Sequence, residues 1–300
     1  MNWRRWTRLL VVLAASLVLV LFVANGLDPG WRRPRAGDGG GRPRTDPVPE
    51  LRVLAFNAAK CSFHEGGLSF ADAATIRSRL TVIAEAIRRE RIDLCFLSEV
   101  VFEAGPGSVD QAEELARLCG FARFAEGENY NFGWPFLRIR SGNALLSRFP
   151  MEAIEVQQLP GGKPFWNPTN NRRVLWCDLE VGGEHLLAGS VRNDSFDPGN
   201  NLAQTRALLE RCSDRPTILA GDFNAEPGSE SIELLLASGR FVAAASGAAT
   251  WPAREPRRRI DHVLAPLGWE ILETRTLAIG DSDHLAVVAA FRPAPTSAPR

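Results

Sequence analysis

The sequence predicts an α/β protein in which two packed mixed β-sheets are flanked by helices. Three observations lead there. Short apolar, β-branched runs alternate with stretches of helical periodicity. Several neighbouring runs are separated by few enough residues to pair as antiparallel hairpins. The strands are also too many for one comfortable open sheet, which favours two stacked sheets with the helices outside.

The chain opens with Arg4, Arg5 and Arg8 ahead of an apolar run from Leu9 to about Leu27. Such a run is long enough to span a bilayer as a helix. The positive flank predicts an N-terminus held in the cytoplasm and a single-pass membrane protein with the rest of the chain exported. The alternative is a cleaved signal peptide ending near Ala24 and Gly26, leaving a secreted or periplasmic protein. Residues 1–27 are therefore expected to be a membrane anchor or a signal peptide. Residues 28–49, dense in Gly, Pro and Arg, read as a linker in which Pro34, Pro43, Pro47 and Pro49 disfavour regular structure. A globular domain is expected over 50–292, and a disordered tail over 293–300.

Within that domain, Leu51–Asn57 alternates and ends on an amide, as a strand would. Thr75–Arg91 carries Ile76, Leu80, Ile83, Ala84 and Ile87 at helical spacing. Asp93–Glu99 is an apolar strand ending on a carboxylate, and Gln111–Cys119 a short helix. Phe121–Ser141, rich in aromatic residues, Gly and Asn, reads as a loop. Asn143–Phe149, Glu152–Gln158, Arg173–Val181 and His185–Val191 read as successive strands, and Leu202–Cys212 as a helix. Thr217–Ala220 is a buried strand, followed by a helix that starts at Ser229 and Glu230 and runs through Leu236. Ile260–Leu264, Ile271–Leu277 and Ala286–Phe291 complete the strands.

Acidic and basic residues balance at 35 each. That argues against a protein that coats nucleic acid through bulk positive charge. Nearly all of the positive charge is Arg, with Lys only at Lys60 and Lys163. Arg254, Arg257, Arg258 and Arg259 form a local cationic run that could grip a polyanion or simply be a solvated loop. The five cysteines are odd in number and lack C-x-x-C spacing, so neither a zinc site nor a disulfide framework is indicated. Cys95 and Cys177 lie inside apolar strands and are expected to be buried thiols.

Chemistry concentrates where the strands end. Asn57 and Glu99 finish two of them, Asp222 and Asn224 follow a third, Asp261 lies in a fourth, and Asp283–His284 precede the last. Asp222 can orient a water, and the Asn224 amide can support a charged oxygen. Each residue alone has a structural explanation: Asp222 as a turn cap, Glu99 as an ion-pair partner, His284 as a strand-start residue. Together they form a set of carboxylates, two amides and one His at positions where sheets build sites. Converging carboxylates repel unless a cation neutralises them, and oxygen-rich ligands with few His favour Mg2+ or Mn2+ over zinc. No P-loop, dinucleotide fingerprint or nucleophile elbow is present.

The motifs AFN at 55–57, SE at 98–99, GNALLSRFP at 142–150, GDFNAEPGS at 221–229, RRIDHVL at 258–264 and SDH at 282–284 resemble the endonuclease/exonuclease/phosphatase family, whose fold is that of deoxyribonuclease I. The resemblance covers about Leu51 to Phe291. It implies a four-layer sandwich and Mg2+-dependent cleavage of phosphate esters. It further implies that Glu99 is the principal metal ligand with Asn57 beside it, and that Asp261 serves the metal or the leaving group. Asp222 would orient or deprotonate the attacking water, and Asn224 would bond the phosphate or the nucleophile. His284 would contact a phosphate oxygen or act as acid–base group, oriented by Asp283.

The chain departs from the family at one point. A second His is usual after an apolar strand, in a Thr-His-Leu-Asp-like context. The corresponding stretch here, residues 186–197, places Arg192 or Val191 there, according to the anchor chosen. His185 lies six residues upstream, about 20 Å away along a strand. Arg192 can donate to a phosphate oxygen but cannot act as a base near neutral pH. The expected function is a metal-dependent phosphodiesterase, nuclease-like or acting on lipids, working as a monomer on nucleic acid or phospholipid. The alternatives are a phosphoinositide-type phosphomonoesterase and a binding module that has lost turnover.

Overall fold

The computed structural model describes residues 3–26, 33–66, 69–105, 107–134, 137–162, 171–212, 215–244 and 247–294. Lys163 and the end of the expected tail, 295–300, lie outside them. In chain order the elements begin with helix α1, Trp3–Gly26, and strands β1, Arg35–Asp38, and β2, Leu51–Asn57. A small hairpin follows, β3 (His64–Gly66) and β4 (Ser69–Phe70), then α2 (Ala73–Arg89), β5 (Leu94–Ala104) and α3 (Gln111–Cys119). Next come β6 (Arg123–Trp134), β7 (Leu137–Ser147), β8 (Met151–Gln158), β9 (Arg173–Val181), β10 (Glu184–Arg192) and α4 (Pro198–Cys212). The chain closes with β11 (Thr217–Asp222), α5 (Glu230–Ala237), β12 (Phe241–Ala243), β13 (Asp261–Pro266), β14 (Glu270–Leu277) and β15 (Ala286–Arg292).

The strands form a seven-stranded sheet, ordered β1-β6-β7-β5-β2-β15-β14, and a six-stranded sheet, ordered β12-β13-β11-β10-β9-β8. Each sheet has one parallel pair at its centre, β2 with β5 and β10 with β11, and antiparallel strands outside it. Three apolar cores separate the layers. Leu80, Ile83 and Leu115 of α2 and α3 pack on the outer face of the first sheet. Val53, Phe96, Leu175 and Ile218 fill the space between the sheets. Leu208, Leu235 and Trp176 join α4 and α5 to the second sheet. The helices begin where the sequence supplies caps. Asp72 accepts from Thr75 N, and Asp110 from Ala112 N and Glu113 N, each cap contributing about 1 kcal/mol.

The predicted transmembrane helix is not sustained. Among the described residues no helix is long and apolar enough to cross a membrane. Arg4, Arg5 and Arg8 lie inside α1 rather than ahead of it. A guanidinium at the centre of a spanning helix costs about 2.5–3.5 kcal/mol, less toward its ends. The single-pass topology expected from this segment rested on that span and is not supported.

Two other expectations are corrected. The stretch read as a loop, Phe121–Ser141, forms β6 and the first part of β7. It lacks an apolar signature because Asn129, Asn131 and Ser141 are buried polar residues. Gly142 is there for space, since a Cβ on it would sit 2.0 Å from Gly127 O. The expected linker also contributes β1, which pairs antiparallel with β6 from Arg35↔Glu126 to Asp38↔Arg123. All five cysteines are free and buried, Cys95 and Cys177 among them.

Candidate active site

Sheet topology gathers the polar strand ends at one rim. In a parallel pair both strands run toward the same side, so β2 ends on Asn57 opposite Ser98 of β5, with Glu99 following at a break before β5 continues to Ala104. In the other sheet β10 delivers Arg192 opposite Asp222 of β11. Antiparallel neighbours bring their beginnings to the same rim. Asp261, the first residue of β13, pairs with Asp222, and the turn before β15 carries His284.

The Asn57 amide stands at the junction of the sheets. Its Nδ2 lies 3.1 Å from Asp222 Oδ2, 3.4 Å from Glu99 Oε1 and 3.4 Å from His284 Nε2. Its Oδ1 accepts from Ala59 N at 3.0 Å. Ser282 Oγ donates to Asn57 O at 2.6 Å and accepts from His284 N, tying the His284 turn to the end of β2.

Glu99 is aimed by a break in the strand. The β5–β7 register shifts between Leu97 and Val100, and Glu99 takes φ 53°, in the left-handed region. A bulge re-aims a side chain at the expense of regular pairing, and strain of this kind gathers at functional sites. The Glu99 carboxylate is gripped from two sides. Arg192 Nη2 donates to Oε1 at 2.5 Å, and Lys60 Nζ donates to Oε2. Lys60 sits in a turn, Ala59–Ser62, whose four residues all have positive φ. Gln111 Nε2 supports that turn through Lys60 O. Burial disfavours the charge on Glu99, but Arg192 and Lys60 outweigh it and hold the carboxyl well below the usual range.

Asp222 is treated in the opposite way. Burial and the neighbouring Asp261 raise its pKa to about 6, against the pull of His284 and Arg192. For His284 burial opposes protonation, yet the hydrogen bond from Nδ1 to Asp261 Oδ2, 2.8 Å, and the charge of Asp261 raise its pKa to about 9. Two sequence assignments change here. His284 is held by Asp261, not by Asp283, whose carboxylate turns outward to accept from Trp251 Nε1 at 3.3 Å. Asn224, expected to bond the phosphate or the nucleophile, is at φ 50° and directs Nδ2 to Asn193 O at 3.1 Å. Its backbone N–H donates to Asp222 Oδ1, so it fixes that carboxylate.

Asp222, Asp261 and His284 offer ligand atoms all within 4.8 Å of one another. Asp261 Oδ1 is buried without a hydrogen-bond partner, and Asp222 is crowded by a second carboxylate. An orphaned oxygen among close carboxylates fits a hard cation. Lys60, Arg172, Gln111 and Ser282 are site or supporting residues that strand-end reasoning missed. Lys60 had one visible signal, as one of two lysines in a chain whose other cations are Arg. Arg172 is buried near Arg192, and burial and that neighbour lower its pKa to about 10. The 254–259 cationic run is dispersed. Arg257 pairs with Glu255, Arg258 pairs with Glu226, and Arg259 is buried and donates to Ala244 O. His185 is exposed on Asp178, away from the cluster.

Fold and constellation together place the chain in a class that independent comparison bears out. The sequence profile of the endonuclease/exonuclease/phosphatase family matches residues 54–284, and the chain belongs to that family. Its members are typically phosphoester hydrolases. Among solved structures, an endonuclease/exonuclease/phosphatase from Beutenbergia cavernae is 22% identical with a TM-score of 0.63, over 82% of this chain and 72% of that one. A family protein from Leptotrichia buccalis is 14% identical with a TM-score of 0.60, over 80% and 98% of the two chains. A mannosyl-6-phosphatase from Bacteroides thetaiotaomicron is 15% identical with a TM-score of 0.57, over 80% and 99%. Similarity at this level concerns the fold. A comparison with curated proteins by sequence found no match.

Proposed function

We propose that the chain is a divalent-metal-dependent phosphodiesterase that cleaves by in-line attack of a water. The observation that carries this reading is the convergence of Asn57, Glu99, Asp222, Asp261 and His284 on one rim, from both sheets. Glu99, exchanging its Arg192 and Lys60 partners, and the partnerless oxygen of Asp261 are the groups assigned to the ion, while the Asn57 Nδ2 holds the neighbouring carboxylates in place. Oxygen donors with a single His favour Mg2+ or Mn2+. When bound, such an ion supplies positive charge to the phosphate oxygens and a more acidic water.

The remaining roles belong to side chains. Asp222, raised to about 6, is ionised at neutral pH yet basic enough to take a proton from the attacking water. Asn224 N–H fixes the orientation of that carboxylate. His284, which is held by Asp261 and favours its proton in the metal-free protein, is the group assigned to stabilise a phosphate oxygen as its charge grows. Arg192 stands in place of the second family His and supplies a permanent cation. Asp283 is not retained as a catalytic group.

The test is hydrolysis of bis(p-nitrophenyl) phosphate by the full chain with Mg2+, with Mn2+ and with EDTA. Turnover that depends on the metal is expected. Turnover indifferent to EDTA, or none on plasmid DNA, RNA, sphingomyelin and inositol phospholipids as well, would overturn the reading.

A further inference from the structure

Beside the Glu99 clasp the surface opens into a cleft of about 400 Å³, lined by Glu99 and Arg192 and by aromatic residues. The aromatic wall follows directly from the Lys60 turn. Phe63 and His64 flank Phe70, with ring centroids 5.1 and 5.3 Å from it, and Tyr130 of β6 lines the same cleft. Phe70 is 47% exposed. The wall is not purely apolar. Asn129 and Ser141 line it as well.

We propose that the Phe63–His64–Phe70 shelf is a subsite for a planar aromatic ring carried on the substrate phosphate. Continuity with the catalytic rim supports this, because Glu99 and Arg192 line the same cleft as the aromatic residues. Aromatic faces bind flat rings in a sequence-tolerant way. A nucleobase and a simple aryl group both meet that condition, whereas an acyl chain offers no flat face. The inference deepens the phosphoesterase reading and rests on it for the place of the phosphate.

Equilibrium binding to the full chain separates the two ideas, since it needs no turnover. The probes are thymidine 5′-monophosphate, phenyl phosphate, methyl phosphate and hexyl phosphate. Ring-bearing phosphates are expected to bind about tenfold or more tighter than methyl phosphate. In Phe70→Ala that ratio should fall toward one, with folding checked by circular dichroism. Preference for thymidine 5′-monophosphate over phenyl phosphate would identify the ring as a nucleobase, and parity would identify it as an aryl group. Equal binding of methyl and ring phosphates, hexyl phosphate binding as tightly as phenyl phosphate, or an unchanged ratio in Phe70→Ala would overturn the subsite. Ring preference without turnover of any phosphoester would leave the subsite standing and remove the phosphodiesterase.

Discussion

Glu99 and Asp222 both lean on the Asn57 amide, yet their surroundings push them in opposite directions. Glu99 comes from the first sheet, on a bulged and strained residue, and meets two cations. Asp222 comes from the second sheet, in regular register, and meets another carboxylate. One side therefore keeps its negative charge across the whole physiological range, and the other sits close to its proton. Ion binding suits the first condition and proton transfer the second. The lesson is that burial alone does not decide an acid's behaviour, because both groups are largely buried and the neighbours set the sign.

The largest expected effect lies on the proton-handling side. His284→Ala should lower the rate by about 10²–10⁴. A loss under tenfold, with folding intact by circular dichroism, would remove His284 from the active site.

A stability measurement reads the same side without any substrate. The folded pKa of His284, about 9, exceeds its ordinary 6.5. The stabilisation it gives is complete below about pH 6.5 and is lost as pH rises through about 9. By linkage the effect is at most about 3 kcal/mol. Thermal unfolding in EDTA should thus show the advantage of the natural protein over His284→Gln shrinking between those limits. Glu99 acts in reverse, since its contribution is lost only as pH falls below its ordinary 4.5. An advantage that grows toward pH 9 would contradict the Asp261–His284 pairing.

Asp261→Asn should cost about 10–100-fold in rate, the range for a partner that orients a functional group. It should also move the alkaline limb of the pH–rate profile to lower pH, which a purely structural role would not do. On the ion-holding side, Glu99→Gln should raise the metal concentration needed for half-maximal activity by about tenfold or more. An unchanged metal titration would reassign Glu99. Smallest of all, Asp283→Asn should change the rate by about twofold or less, as expected of an exposed substitution. A loss comparable with that of Asp261→Asn would restore Asp283 to the role its sequence position suggested.

The rim was legible in the sequence because apolar runs that give way to Asn57, Glu99 and Asp222 announce the site, although β5 does not end on Glu99 as expected but bulges there and continues to Ala104. The pairing within the rim was not. Asp283 and His284 are neighbours in the chain, but consecutive side chains diverge, and β-sheet register supplied Asp261 instead. Lys60 reaches Glu99 through four successive residues at positive φ, none of them Gly, a conformation for which the sequence offers no signal. The β6–β7 hairpin went unseen because it carries polar residues inward, where periodicity rules expect apolar ones.

The short strand β1 has a practical consequence. It completes the hydrogen bonding of β6, and Gly39 N and Gly41 N extend the contact to Ala122 O and Phe121 O at 3.0 and 2.9 Å. Its Arg35 bonds Asp110, Glu113 and Glu126, fastening it to α3 and to β6. A chain shortened to start at residue 50, where the composition changes, would leave β6 as an open sheet edge. Its unpaired amides and carbonyls would then be a template for another copy of the chain, the usual route to aggregation through strand addition.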